Sequence, residues 1–127
     1  MKTILVGAVD TFVIEGKGIF EEMHKLLDEY PNDKIVLTNA NDEQMKIFGL
    51  ENLPYPLFTL KHNPNKTDPK YFEIMFKHFN LNVDDVIYFE HNVKAVESAR
   101  TLGIISYHYD MGKKDLIALK KFLDENV

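Results

Sequence analysis

The chain has 127 residues, 45% hydrophobic and 28% charged, values of one ordinary globular domain that exclude a largely disordered chain. A net charge of −5 argues against a phosphate-tracking nucleic-acid binder, whose surface is basic; the one dense lysine group, Lys113, Lys114, Lys120 and Lys121, has the spacing of a solvated helix side. No cysteine is present, so disulfides, thiolate catalysis and cysteine-bound zinc are excluded.

Thr3 to Val9 is an apolar run without alternation, which predicts a strand buried on both faces. It is too short and too abruptly followed by Asp10 to be a signal peptide. Ile19, Phe20, Met23, Leu26 and Leu27 recur at helical spacing and predict an amphipathic helix over 17–30. A second buried strand follows at 34–38, and Asn41 is placed to cap a short helix that ends before Gly49. After an irregular stretch over 50–56, a third strand is expected at 57–60 and a polar loop at 61–67. Asp68-Pro69 then opens a helix, Asp as cap and Pro at the first position, with Phe72, Met75, Phe76 and Phe79 as its apolar stripe. A fourth strand is read at 86–89, a helix through Ala95, Val96, Ala99 and Leu102, a fifth strand at 104–109, and a closing helix through Leu116, Leu119, Phe122 and Leu123.

Strands alternating with helices through short loops predict an α/β fold: a three-layer, five-stranded parallel sheet with helices on both faces, in a single domain over residues 1–127. No apolar run approaches the ~20 residues a membrane span needs. A cytoplasmic protein without a nucleic-acid or membrane partner is expected.

Ligands of such a sheet bind beyond the carboxyl ends of the strands, near the reversal of strand order. Those ends are Gly7 to Thr11, Thr38-Asn39, residues 62–66, Glu90-His91 and His108 to Asp110. They bring together the hydroxyl of Thr38, the amide of Asn39, the lysine Lys66 and the carboxylate of Glu90. A lysine and a hydroxyl beside helix N-termini can cradle phosphate, and a carboxylate can hold Mg²⁺. The simpler readings are a close-packed strand end for Gly7, a helix-capping hydroxyl for Thr38, a solvated loop lysine for Lys66, and for Glu90 a cap on the next helix or a partner for Lys66. The five histidines show no pair at ligand spacing on one helix, and His24 and His78 read as helix-surface residues.

In order along the chain, these strand ends resemble the haloacid-dehalogenase (HAD) superfamily, from Ile4 to about Tyr109. Val36-Leu37-Thr38-Asn39 is similar to its second motif, an apolar strand ending in Thr or Ser. Asn65-Lys66-Thr67-Asp68-Pro69-Lys70-Tyr71-Phe72 is similar to its third, K-P-D-P-x-x-F/Y. Residues 86–91, with the helix ending at Leu102-Gly103, are similar to its fourth, in which an acidic pair closes a strand. The resemblance implies a Mg²⁺-dependent phosphohydrolase fold whose first motif, D-x-D-x-T, supplies a nucleophilic Asp and an acid/base Asp.

With Thr11 at the motif's threonine, those two positions are Gly7 and Val9, which can do neither job. Glu90 stands at the metal-binding acid and His91 at the acid beside it. The implied protein is therefore a catalytically impaired, capless HAD-like member that retains a phosphate-binding site at Thr38, Asn39 and Lys66. It would serve a binding or regulatory role toward a small phosphorylated ligand or a protein partner, with Mg²⁺ binding at Glu90 weak or absent. The alternative is an active Mg²⁺-dependent phosphatase that recruits Asp10 together with Thr38 and Lys66. A phospho-accepting receiver ranks last, because His62 and Asn63 stand where its third-strand Asp would be.

Overall fold

In the computed structural model, which describes residues 1–127, the chain runs β1 (Thr3–Gly7), β2 (Val13–Ile14), β3 (Gly18–Ile19), α1 (Glu21–Asp28), β4 (Lys34–Thr38), α2 (Asp42–Ile47), β5 (Leu57–Thr59), α3 (Lys70–Phe79), a 3₁₀ turn (Val83–Asp85), β6 (Val86–Glu90), α4 (Val93–Thr101), β7 (Ile105–His108) and α5 (Leu116–Asn126). Five strands form one sheet in the order β5-β4-β1-β6-β7, and every pairing in it is parallel. The expected five-stranded parallel sheet is present, with β1 at its centre.

The unbroken apolar runs follow from burial on both faces. Ile4, Val6, Val36, Ile87 and Phe89 point to one side, where Met23, Leu26 and Leu27 of α1 meet Leu119 and Leu123 of α5. Leu5, Ile35, Leu37, Val86 and Tyr88 point to the other, against Tyr71, Phe72 and Met75 of α3 and Ala99 of α4. Side chains alternate across a strand, so each run serves two cores. A fully buried Leu or Ile of this kind contributes about 2 kcal/mol.

Three details depart from the expected pattern. Residues 17–20 are not helical. They belong to a small antiparallel hairpin in which Val13 pairs with Ile19 and Ile14 with Gly18. Gly16 and Gly18 lie at φ +78° and +88°, a conformation no helix accepts, so α1 starts only at Glu21. The cap position of α3 falls on Pro69, one residue later than expected, although the Asp68 side chain still accepts from the Lys70 amide at 3.0 Å. The fourth strand extends to include Glu90. Asn41 caps α2 as expected, in a reciprocal pairing with Gln44.

The chain order leaves β1 for β4 and β5 on one side, then returns across β1 to β6 and β7. The reversal falls between β1 and β6, whose register pairs Val6 with Phe89. One step further, Gly7 and Glu90 end neighbouring strands. Gly7 shares the face of Leu5, and Glu90 that of Tyr88, so both point to the α3–α4 side at the position where an open sheet takes its ligands.

Candidate functional site at the strand ends

A cavity of about 180 Å³ opens over the carboxyl ends of the strands, walled by Val9, Thr38, Asn39, Lys66, Glu90 and His91 among others. The structure thus brings together Thr38, Asn39, Lys66 and Glu90, four of the residues expected to form the site. Asp10 is not on this wall. It turns at φ +62°, and its carboxylate faces the hairpin, accepting from the Glu15 amide at 3.4 Å. The placement of Asp10 thus corrects the alternative in which its carboxylate joins Thr38 and Lys66: strand β1 ends at Gly7, and the left-handed turn three residues on sends the carboxylate away from the strand ends.

The centre of the site is a buried ion pair. Lys66 Nζ lies 2.5 Å from Glu90 Oε1, with only 7% and 1% of the two side chains exposed. The same ammonium donates to the Leu37 carbonyl at 3.1 Å, which fixes it to the end of β4. Tyr88, two residues before Glu90 on the same face, donates its hydroxyl to Oε1 at 2.9 Å. The other carboxylate oxygen accepts from the Thr11 hydroxyl at 3.4 Å, from the His91 and Asn92 amides at 3.1 and 3.4 Å, and lies 3.1 Å from His91 Nδ1. Those amides precede α4, so the charge also sits at a helix N-terminus.

Burial of this kind pushes a carboxyl upward. Here the Lys66 charge, the His91 hydrogen bond and the Lys66 hydrogen bond outweigh it and hold Glu90 down at about 2. Burial beside the Glu90 charge in turn pushes the Tyr88 phenol well above its ordinary range.

Gly7 is what admits this arrangement. A Cβ at position 7 would lie 2.6 Å from Glu90 Cδ and Oε2 and 2.8 Å from Oε1, closer than non-bonded atoms approach. The extra methylene of Glu90, relative to an Asp, reaches across to β1 and fills the space a side chain on Gly7 would need. The missing side chain and the longer one are thus two halves of one geometric feature.

The remaining wall carries no further carboxylate or lysine and is internally bonded. Asn39 accepts from the Lys66 amide at 2.7 Å and donates to Asn65 at 2.9 Å. Thr38 accepts from the Ala40 amide at 3.2 Å in a local turn, not as the helix cap expected of it, since Asn41 caps α2. Sequence reading missed His62, Gln44 and Tyr88. His62 Nε2 is 2.6 Å from Gln44 Oε1, and its Nδ1 is 3.3 Å from Asn65 Nδ2. Lys61 and His62 both have positive φ, 53° and 67°, a conformation costing roughly 1–2 kcal/mol per non-glycine residue. Nothing in the sequence marks these two positions. Tyr88 was legible, since a tyrosine two residues before a strand-end carboxylate shares its face.

The donor set does not fit a divalent cation. Glu90 is the one carboxylate on the cavity wall, both its oxygens are engaged, and no cluster of three or more histidine, aspartate or glutamate side chains occurs in the chain. Mg²⁺ demands a near-octahedral shell of oxygens. Glu90, expected as a metal ligand, is paired with Lys66 in this structure.

No family model and no curated protein sequence matches this chain. Solved structures do. A HAD family enzyme from Bacteroides thetaiotaomicron, an Asp-to-Ala mutant in complex with magnesium and inorganic phosphate, superposes with a TM-score of 0.61 at 17% identity, over 75% of this chain and 55% of that one. A haloacid dehalogenase-like protein of unknown function from Agrobacterium tumefaciens gives 0.57 at 17% identity, over 84% of this chain and 61% of that one. An uncharacterized protein from Corynebacterium glutamicum gives 0.66 at 11% identity, over 98% of this chain and 96% of that one. The chain thus spans little more than half the length of the two HAD proteins. At such identities the likeness establishes the fold, which is HAD-like. No helix is long and apolar enough to cross a membrane.

Proposed function

We propose that this chain is a HAD-like domain that binds rather than hydrolyses, its former reaction centre closed by the Lys66–Glu90 pair. The observation that carries this reading is the 2.6 Å approach of the Glu90 carboxylate to the Cβ position of Gly7. Phosphoryl transfer through an aspartyl intermediate needs a carboxylate on that atom, and Gly7 supplies none. Val9 offers no proton to a leaving group. Glu90 is no replacement nucleophile, because a carboxylate held at about 2 by its partners has its lone pairs committed to Lys66, Tyr88, Thr11 and the His91 and Asn92 amides before α4.

The phosphate grip expected of Thr38, Asn39 and Lys66 is weakened by the same pair. A dianion approaching the ammonium meets a carboxylate already 2.5 Å from it. A phosphorylated ligand must compete with Glu90, so a role in binding or regulation, toward such a ligand or toward a protein partner, is what the site favours. The segment between β1 and α1 holds only the short β2–β3 hairpin, which leaves the cavity mouth accessible to a large partner.

The test is hydrolysis of an aryl phosphate in Mg²⁺ by this chain and by a Gly7→Asp/Val9→Asp/Glu90→Asp variant. The third change is needed because an Asp at 7 would collide with Glu90. The chain is expected to be inert and the triple variant to turn over. Hydrolysis by the chain that disappears in Lys66→Ala would overturn the reading.

A further inference from the structure

We infer that the Lys66 ammonium is the resident cation of this centre, placed where a divalent ion would otherwise neutralise the strand-end carboxylate, so that the domain is independent of divalent metal. This goes beyond the loss of hydrolysis, since an inert centre can still hold a metal.

Charge counting supports it first. The cavity wall carries one carboxylate, Glu90, and one lysine, Lys66, which cancel. A divalent ion would bring these buried groups to a total of +2, and like charges a few ångström apart repel strongly where water is excluded. Occupancy supports it second. Nζ is 2.5 Å from Oε1 and cannot retreat into solvent, since the side chain is 7% exposed and is also held by the Leu37 carbonyl at 3.1 Å. The far oxygen is covered by Thr11, His91 and the Asn92 amide.

Lys66 and Glu90 arise on different elements, the loop before α3 and the end of β6, and Gly7 on a third provides the space. A lysine, a glutamate and a glycine thus form one self-contained unit in which charge, reach and volume are matched.

The experiment is thermal unfolding of the chain, of Lys66→Met and of Lys66→Gln, with MgCl₂ or MnCl₂ against NaCl at equal ionic strength. A site of millimolar affinity would raise the midpoint by about 5 °C at about 10 mM ion. The chain is expected to move by less than about 1 °C. The lysine variants, left with an uncompensated carboxylate, are expected to gain several degrees. Lys66→Gln keeps a donor toward Glu90 without the charge and serves where Lys66→Met does not fold. A midpoint in the parent chain that rises with Mg²⁺ overturns the inference. So does an equal lack of response in the parent and both variants, because the ammonium would then not be what stands in the cation's place.

Discussion

The two ends of the sheet carry cavities of opposite character. At the amino ends, a cleft of about 430 Å³ is walled by Thr3, Asn32, Lys34, Tyr55 and Phe79 among others. At the carboxyl ends lies a cavity of about 180 Å³, less than half that volume. The larger one holds no ion pair. Its lysine, Lys34, donates to the Tyr30 carbonyl and lies 5.6 Å from the Tyr55 ring centre, while burial pushes its ammonium down against the upward pull of Asp28 and Asp33. The smaller one buries a lysine and a glutamate together. Volume therefore does not single out the proposed site of this molecule. Charges that the fold has removed from water do, because each needs a partner to be tolerated there.

That contrast predicts very different sensitivities. Lys66→Met should cost about 3–5 kcal/mol in denaturant unfolding, the range for a buried charge left unpaired, and Lys66→Met/Glu90→Gln should recover much of it. Loss of less than about 1 kcal/mol in the single variant would show that water reaches Glu90 freely.

Acid should act through the same pair. The Glu90 carboxyl is held at about 2 against an ordinary 4.5. Its contribution is therefore complete above about pH 4.5 and is lost as pH falls toward 2, to the extent of about 3 kcal/mol. Urea unfolding between about pH 5 and about pH 3 should lose stability more steeply in the chain than in Glu90→Gln; parallel slopes would remove Glu90 from the account. The smallest effect belongs to the other cavity. Lys34→Met should change stability by less than about 1 kcal/mol and leave the acid response untouched.

The architecture was readable because burial on both faces writes itself as unbroken apolar runs. Ile4-Leu5-Val6, Ile35-Val36-Leu37 and Val86 to Phe89 each divide between two cores, and their short length and β-branched content mark them as strands. The β2–β3 hairpin escaped because strands of two residues carry no period. Its glycines at positive φ, not its apolar residues, decide where α1 begins. The site was half legible. Thr38, Asn39, Lys66 and Glu90 stand together because each ends or follows a strand. The contact between Glu90 and the space above Gly7 depends on strand order, which places β6 beside β1, and linear sequence does not state that order. Among the readings open for Glu90, pairing with Lys66 and bonding to the amides before α4 are both realised. Asp10 was the one nearby carboxylate in the sequence, yet a left-handed turn at that residue takes it out of the site.

The most direct test of the account is a double-mutant cycle between Gly7→Ala and Glu90→Asp, read by denaturant unfolding. Because a Cβ on residue 7 would fall 2.6 Å from the Glu90 carboxylate, Gly7→Ala should cost about 1–3 kcal/mol beside Glu90. Beside the shorter Asp, which withdraws from that space, the same change should cost less than half as much, a coupling well beyond the ~0.5 kcal/mol seen between independent sites. Equal costs in both backgrounds would mean that Glu90 does not occupy the place of the missing side chain, and the account of the closed site would fail.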